Sequence, residues 1–255
     1  MKIFASDYDG TIKIDGSISE RNLTAIKNWT KRGNVFGLVT GRSVESALQE
    51  IKKYELPVSF LVCNNGGVIY DKEMNLLKLY EMDLAKAKQL IADIRSMRCN
   101  SFVLNNGFYR AKEIVDSAEE DYKYGTYSSD YSVERILDEG RIGQIVISVN
   151  DNEYGKEQAA CINEKYVGYM NAFPNVNCID IVPDNVDKAQ GLRFVQDYFG
   201  YAKEDIYCMG DSYNDLPMLL TFHSATLTHT FEDVKAQIDI KVKDVCEYLT
   251  MLENE

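Results

Sequence analysis

Four short apolar runs, each ending in small or polar residues, punctuate the chain: Lys2 to Ser6 before Asp7, Val35 to Val39 before Thr40, Phe60 to Cys63 before Asn64, and Ile206 to Met209 before Gly210. Runs of this length predict buried strands whose carboxyl ends carry polar loops. Between them the apolar positions recur at helical spacing. Ser19 to Arg32 sets Leu23, Ile26 and Trp29 on one face, and further helices are predicted over Val44 to Lys53, Ala189 to Phe199 and Asp215 to Leu220. Such alternation predicts an α/β fold, a Rossmann-like doubly wound parallel sheet covered by helices. Sheets of this kind bind ligands outside the carboxyl ends of their strands, where all four polar clusters fall.

The middle of the chain follows another pattern. From about Tyr80 to Val182 the sequence predicts a helix, a hairpin of Phe102 to Leu104 and Phe108 to Arg110 around Asn105-Asn106-Gly107, a strand at Gln144 to Val149, a helix over Glu153 to Tyr169, and a strand at Val176 to Ile181. This reads as an α+β domain, residues 81–182, inserted into a core made of residues 1–80 and 183–255. The outer segments together hold roughly 150 residues, an ordinary size for one doubly wound domain.

Composition narrows the classes of function. The 255 residues are 45% hydrophobic and 27% charged, with 16 Gly and 4 Pro, as expected for a folded globular chain. A net charge of −12 opposes a broad phosphate-tracking surface, so nucleic acid and anionic membranes are not expected partners. A phosphorylated small molecule remains compatible where a metal or a few cations reverse the local field. The six cysteines form no CxxC pair, and none lies in metal-ligand spacing with His223 or His229. With no apolar run near 18 residues and Asp7 interrupting any leader, a cytoplasmic protein is expected, as a monomer or weak dimer.

Three polar clusters carry candidate chemistry. Asp7-Tyr8-Asp9-Gly10-Thr11 follows a strand, so both aspartates can face one cavity; a turn with two solvated aspartates is the alternative. Val39-Thr40-Gly41-Arg42 joins a strand to a helix, and a hydroxyl with free N–H groups there suits an anion; it also reads as a simple helix cap with Arg42 on the surface. Gly210-Asp211-Ser212-Tyr213-Asn214-Asp215 offers two carboxylates and an amide to a hard cation and phosphate oxygens, or caps the following helix. Lys188 alone is a weak sign. A parallel sheet can nevertheless bring all of them into one crevice.

Taken in order, DYDGT at 7–11, VTGR at 39–42, CNNGGVIYD at 63–71, DKAQGL at 187–192 and GDSYND at 210–215 resemble the haloacid-dehalogenase-like superfamily, and within it the Cof-like phosphatases with a large inserted cap. The resemblance implies that Asp7 is the nucleophile and Asp9 the general acid and base. It implies that Mg²⁺ is held by Asp7, the main-chain carbonyl of Asp9, and Asp211, with Asp215 a supporting residue. It assigns phosphate binding to Thr40, Gly41, Lys188 and Asn214, with the Tyr8 amide close by. Two departures stand out. Ala225 to Phe231 replaces the family's Gly-Asn-Ala turn, and Gly191 stands three positions after Lys188 instead of one, which predicts a differently shaped helix start.

The expected activity is Mg²⁺-dependent hydrolysis of small phosphomonoesters, sugar phosphates above all, through an aspartyl-phosphate. A phosphosugar mutase and a non-enzymatic phospho-acceptor or sensor are the alternatives. Substrate choice is expected to reside in residues 81–182, with Asn105, Asn106 and the tyrosines near position 125 as candidates. Tyr122, Tyr124, Tyr127 and Tyr131 read first as cap-surface or packing residues, with stacking on a sugar the alternative, and His223 and His229 as surface or helix-end residues.

Overall fold

A computed structural model describes residues 1–129 and 131–254. They form two compact units, one of Met1–Lys78 with Asp187–Glu255 and one of Leu79–Val186.

The first unit is built on an eight-stranded sheet. In spatial order its strands are Ile240–Val242, His223–Leu227, Ile206–Gly210, Ile3–Ser6, Val35–Val39, Phe60–Cys63, Val68–Asp71 and Leu76–Leu79. The first six run parallel, while Val68–Asp71 returns antiparallel beside Phe60–Cys63. The chain starts in the middle. From Ile3–Ser6 it builds outward through Val35–Val39 and Phe60–Cys63, and later outward on the other side through Ile206–Gly210. The point where the order reverses therefore lies between Ile3–Ser6 and Ile206–Gly210, the two strands that end at Asp7 and Asp211.

Ile3–Ser6 is buried along its whole length, as a strand paired on both sides should be. Phe4 packs among Phe36, Trp29 and Tyr248, with ring centroids 5.9, 6.5 and 6.1 Å away. The first helix, Glu20–Lys31, is capped by Ser19, whose side chain accepts from the Asn22 amide. Its buried face is Asn22, Ile26 and Trp29, with Leu23 only half-buried. The periodicity slipped by one residue because Asn22 accepts a hydrogen bond from the Cys246 amide, 3.1 Å, across to the helix Val245–Glu253.

The second unit carries a five-stranded sheet in the order Met170–Asn175, Cys178–Pro183, Gln144–Ser148, Ser101–Asn105 and Arg110–Ile114, with all neighbours antiparallel. One face sets Phe102, Leu104, Ile145, Ile147, Ile179 and Ile181 in one apolar core with Leu90 and Ile94 of the helix Leu84–Ile94 and Ile162 of the helix Asn152–Lys165. The hairpin differs from the sequence reading. Its second strand begins at Arg110 because Asn106 holds a four-residue loop, its side chain accepting from the amides of Phe108 and Tyr109. Asn105 accepts from the Gly107 amide in the same turn. The strand Met170–Asn175 escaped the reading because Pro174 argues against a strand; it sits at the sheet edge, where a missing N–H is tolerated.

The opposite face mixes Val103, Val146 and Val182 with polar residues that are still buried: Ser101, Gln144, Ser148 and Asp180 all lie out of solvent. Asp121 serves it, accepting from the hydroxyls of Ser101 and Ser148 at 2.6 Å each, from the Tyr124 amide at 2.7 Å, and pairing with Lys112 at 3.1 Å. Tyr109 stacks on Tyr131 at 4.3 Å and Tyr127 lies under the Arg110 guanidinium at 4.2 Å, whereas Tyr122 is exposed on the surface. Burial pushes the Asp121 carboxyl up, but these donors outweigh it and hold its pKa at about 2 against an ordinary 3.8. A carboxyl depressed on folding stabilises above its unfolded pKa, and that contribution is lost as pH falls from about 4 to about 2. Asp121→Asn, which keeps the size and loses the charge, is therefore expected to unfold at lower urea at pH 7. Near pH 2.5 the gap from the parent should shrink, and an equal gap at both pH values would count against this account.

Candidate active site

Each predicted site residue falls at the carboxyl end of a core strand or at the start of the helix that follows. Asp7 leaves Ile3–Ser6, Thr40 leaves Val35–Val39, and Asp211 leaves Ile206–Gly210. Lys188 is the first residue of the helix Lys188–Phe199, whose cap Asp187 accepts from the Gln190 amide. That helix start is regular, contrary to the expected distortion. Gly191 serves another purpose: a Cβ there would lie 2.5 Å from Val62 Cγ1 and 2.9 Å from Gly66 Cα, so the glycine lets this helix approach the sheet.

Lys188 ties the centre together. Its Nζ donates to Asp7 Oδ1 at 2.6 Å and to Asp215 Oδ1 at 2.5 Å, and Lys188 and Asp215 are at most 1% exposed. The second oxygen of Asp215 accepts from the amides of Asp211 and Ser212 at 3.0 and 2.9 Å, so this carboxylate supports the loop 211–215 from beneath. Burial alone would strip the proton from Lys188, yet Asp215 and Asp7 outweigh it and raise its pKa above the usual lysine range. Asp7 is pushed well above the ordinary carboxylate range by burial, opposed by Lys188 and reinforced by Asp215 and Asp211. Asp211 is raised to about 6, first by burial and then by Asp215. Thr11 donates to Asp211 at 2.7 Å.

On the adjoining strands, Thr40 is buried and its hydroxyl accepts from the Arg42 amide at 3.1 Å. Asn214 donates to Asn65 Oδ1 at 3.0 Å. Asn64, Asn65 and Gly66 all have positive φ, +52°, +52° and +103°, a left-handed turn directly after Phe60–Cys63. Backbone in that region clusters at functional sites.

Asp9 is placed differently from Asp7. Its side chain is 54% exposed, and both oxygens are gripped by Arg42, Nε at 2.6 Å and Nη2 at 2.7 Å. Arg42 also lies 5.0 Å over the Tyr8 ring and donates to Ser46. Tyr8 is buried and donates to Glu50 at 2.5 Å, and Lys13 bonds the same carboxylate at 2.9 Å. Arg42 and Glu50 thus join the site although the sequence reading left Arg42 at the surface and did not select Glu50.

The segment Ala225 to Phe231, where the family's turn is missing, is also part of the site. His229 Nε2 lies 3.1 Å from the Gly10 carbonyl, and the Thr230 hydroxyl donates to the Asp211 carbonyl. His229 is exposed, as expected of a surface residue, and also touches the Gly10 carbonyl beside the acidic group. His223 opens a strand and stacks on Tyr207 at 5.4 Å.

A family model described as haloacid dehalogenase-like hydrolase matches residues 4–247. The chain belongs to the haloacid dehalogenase-like hydrolases. Among curated proteins it is 24% identical to the 5-amino-6-(5-phospho-D-ribitylamino)uracil phosphatase YcsE of Bacillus subtilis, over 98% of this chain and 90% of the relative. It is 22% identical to the HMP-PP phosphatase of Citrobacter koseri, over 86% of this chain and 80% of the relative. Among solved structures, a HAD/COF-like hydrolase from Plasmodium vivax superposes with a TM-score of 0.84 at 20% identity, covering 100% of this chain and 96% of that one.

Hydrolases of this family need positive charge near their carboxylates, and the donor set here fits a divalent cation. Asp7, Asp211 and Asp215 each present an oxygen, all within 4.8 Å of one another. Buried carboxylates so close repel one another unless a cation or a proton intervenes, and all-oxygen donors suit a hard ion.

Gly10 is what allows Asp211 to enter this group. Its φ is +86°, and a Cβ there would lie 2.3 Å from Asp211 Oδ2. Gly10→Ala is expected to lose about 2–4 kcal/mol of stability in urea titration, combining left-handed backbone cost with collision. Gly16→Ala, at φ +79° with no atom within 4 Å, should lose only about 1 kcal/mol. Equal losses would remove the collision from the explanation.

Proposed function

We propose that this chain is a Mg²⁺-dependent phosphomonoesterase that hydrolyses small organic phosphates, sugar and sugar-alcohol phosphates in particular, through an aspartyl-phosphate on Asp7. The observation that carries the reading is the buried contact of Asp7 with Lys188 inside the acidic group of Asp211 and Asp215, at the reversal point of the sheet. The phosphorylated ribityl chain in the name of the Bacillus subtilis relative supports the substrate class. Six free cysteines, four of them buried, suit a reducing cytoplasm. Among the described residues no helix is long and apolar enough to cross a membrane.

Asp7 must be ionised to attack phosphorus. Lys188 favours the carboxylate, while burial and the two neighbouring aspartates disfavour it. Mg²⁺ on Asp7, Asp211 and the main-chain carbonyl of Asp9 would supply the missing positive charge toward both the nucleophile and the phosphate. In the first half-reaction an oxygen of Asp7 bonds to phosphorus, the bond from phosphorus to the alcohol oxygen breaks, and Asp9 gives that oxygen its proton. In the second, Asp9 takes a proton from water, the water oxygen bonds to phosphorus, and the bond to Asp7 breaks, releasing phosphate. Thr40, the Gly41 and Tyr8 amides, Lys188 and Asn214 hold the phosphate oxygens throughout. Because Arg42 occupies both oxygens of Asp9, at least one of those bonds must open before Asp9 serves a leaving group. We assign substrate choice to the unit Leu79–Val186.

Asp7→Asn is expected to lower hydrolysis of p-nitrophenyl phosphate at least 1000-fold, roughly the scale of losing a nucleophile, while circular dichroism keeps the parent spectrum. Parent-like turnover would overturn the mechanism. Chelation with EDTA should abolish turnover and Mg²⁺ should restore it, since carboxylates and phosphate otherwise repel. Full activity in excess EDTA would remove the metal from the proposal. Released phosphate from a panel of hexose, pentose and polyol phosphates tests the substrate class, and a preference for non-sugar substrates would refute it.

A further inference from the structure

We propose that Asn65 is a further phosphate-binding residue, its side-chain Nδ2 donating to a phosphate oxygen of the substrate while its Oδ1 orients Asn214. The proposal rests on the phosphomonoesterase reading above. It begins from the position of Asn65, which touches three of the residues assigned to phosphate. The Asn65 main-chain N–H donates to the Thr40 carbonyl at 3.0 Å. Its carboxamide lies against Gly41, where a Cβ would be 3.0 Å from Oδ1 and 3.3 Å from Nδ2. Its Oδ1 accepts from Asn214.

The second observation is a donor with nothing to bond. Asn65 is 1% exposed, and its Nδ2 has no hydrogen-bond partner among the described residues. Burying an amide N–H without an acceptor costs about 1–3 kcal/mol, and such groups are scarce in folded proteins. The same residue has φ +52° and ψ +36°, a second unfavourable choice that asparagine tolerates better than most residues. Turning the carboxamide over does not help, because it would set the Asn65 amide hydrogens against those of Asn214. An acceptor that arrives with the substrate resolves the penalty. Phosphate oxygens are such acceptors, and a neutral amide donates to them without altering the charge balance among Asp7, Asp211 and Lys188.

A bare preference for left-handed backbone would explain asparagine here equally well, and glycine separates the two explanations. Asn65→Gly adopts φ +52° more readily yet has no side-chain donor. The measurement is calorimetric binding of inorganic phosphate in the presence of Mg²⁺, with a thermal melt of each variant. Asn65→Gly is expected to melt close to the parent and to bind phosphate roughly 10- to 100-fold more weakly, the range for losing a hydrogen bond to a charged group. Asn65→Asp keeps the shape, tolerates the same backbone, and should bind phosphate more weakly still. In an Asn214→Ala background, Asn65→Gly should weaken binding further.

Unchanged phosphate affinity in Asn65→Gly and Asn65→Asp overturns the proposal and leaves the phosphatase reading standing. No added loss in the Asn214→Ala background overturns direct donation. Phosphate binding that depends on Asn65, in a protein that does not hydrolyse p-nitrophenyl phosphate, supports the proposal and overturns the phosphatase reading. A parent protein that binds no phosphate overturns both.

Discussion

The buried ammonium of Lys188 is the contact on which the arrangement of the core depends. It joins the end of the first strand to the loop 211–215 and to the start of the helix Lys188–Phe199, three segments that share no local sequence. Removing one partner from a buried, hydrogen-bonded charge group typically costs about 3–5 kcal/mol, so the three charges depend on one another. The group carries more negative than positive charge. That imbalance disfavours the apo state and favours whatever cation the site accepts, and it accounts for phosphate chemistry in a protein whose net charge is −12.

Around this group the backbone is arranged to bring polar atoms close rather than to fill space. Gly10 admits the Asp211 carboxylate, and Gly66 and Gly191 let the Lys188 helix meet the sheet, the carbonyl of Asp187 lying 2.0 Å from where a Gly66 Cβ would stand. Thr230 and His229 hold the carbonyls of Asp211 and Gly10 from the far side. A loop that lacks the family's usual turn thus fixes the same two strand ends by side-chain contacts.

Much of this was legible in the chain. Strand ends are marked by short apolar runs stopping at polar residues, and the helices by caps such as Ser19, Ser43 and Asp187, because both signatures are local. Asp7, Thr40 and Asp211 each sit just past such a boundary, whereas Lys188 and Asn214 took their phosphate-binding roles from the ordered family resemblance. What escaped were contacts made across the fold. The Asn22 bond to Cys246, the grip of Arg42 on Asp9, and the reach of His229 to Gly10 leave no periodic trace, as their partners are set by sheet order and not by spacing. The buried polar residues of the second sheet were hidden for a related reason. Ser101 and Ser148 look solvent-facing by alternation, and only Asp121, brought over them by a long loop, buries them.

The central place of Ile3–Ser6 has a consequence in time. This strand is made before the other strands of its sheet, and one of its two neighbours, Ile206–Gly210, leaves the ribosome only after the whole of Leu79–Val186 has been translated. Domains tend to fold as they emerge, so the unit Leu79–Val186 can be complete while the sheet of the first unit is still half open. Until then Asp7 has neither Lys188 nor Asp211 beside it. The buried group around Lys188 therefore forms in a late, long-range closing step.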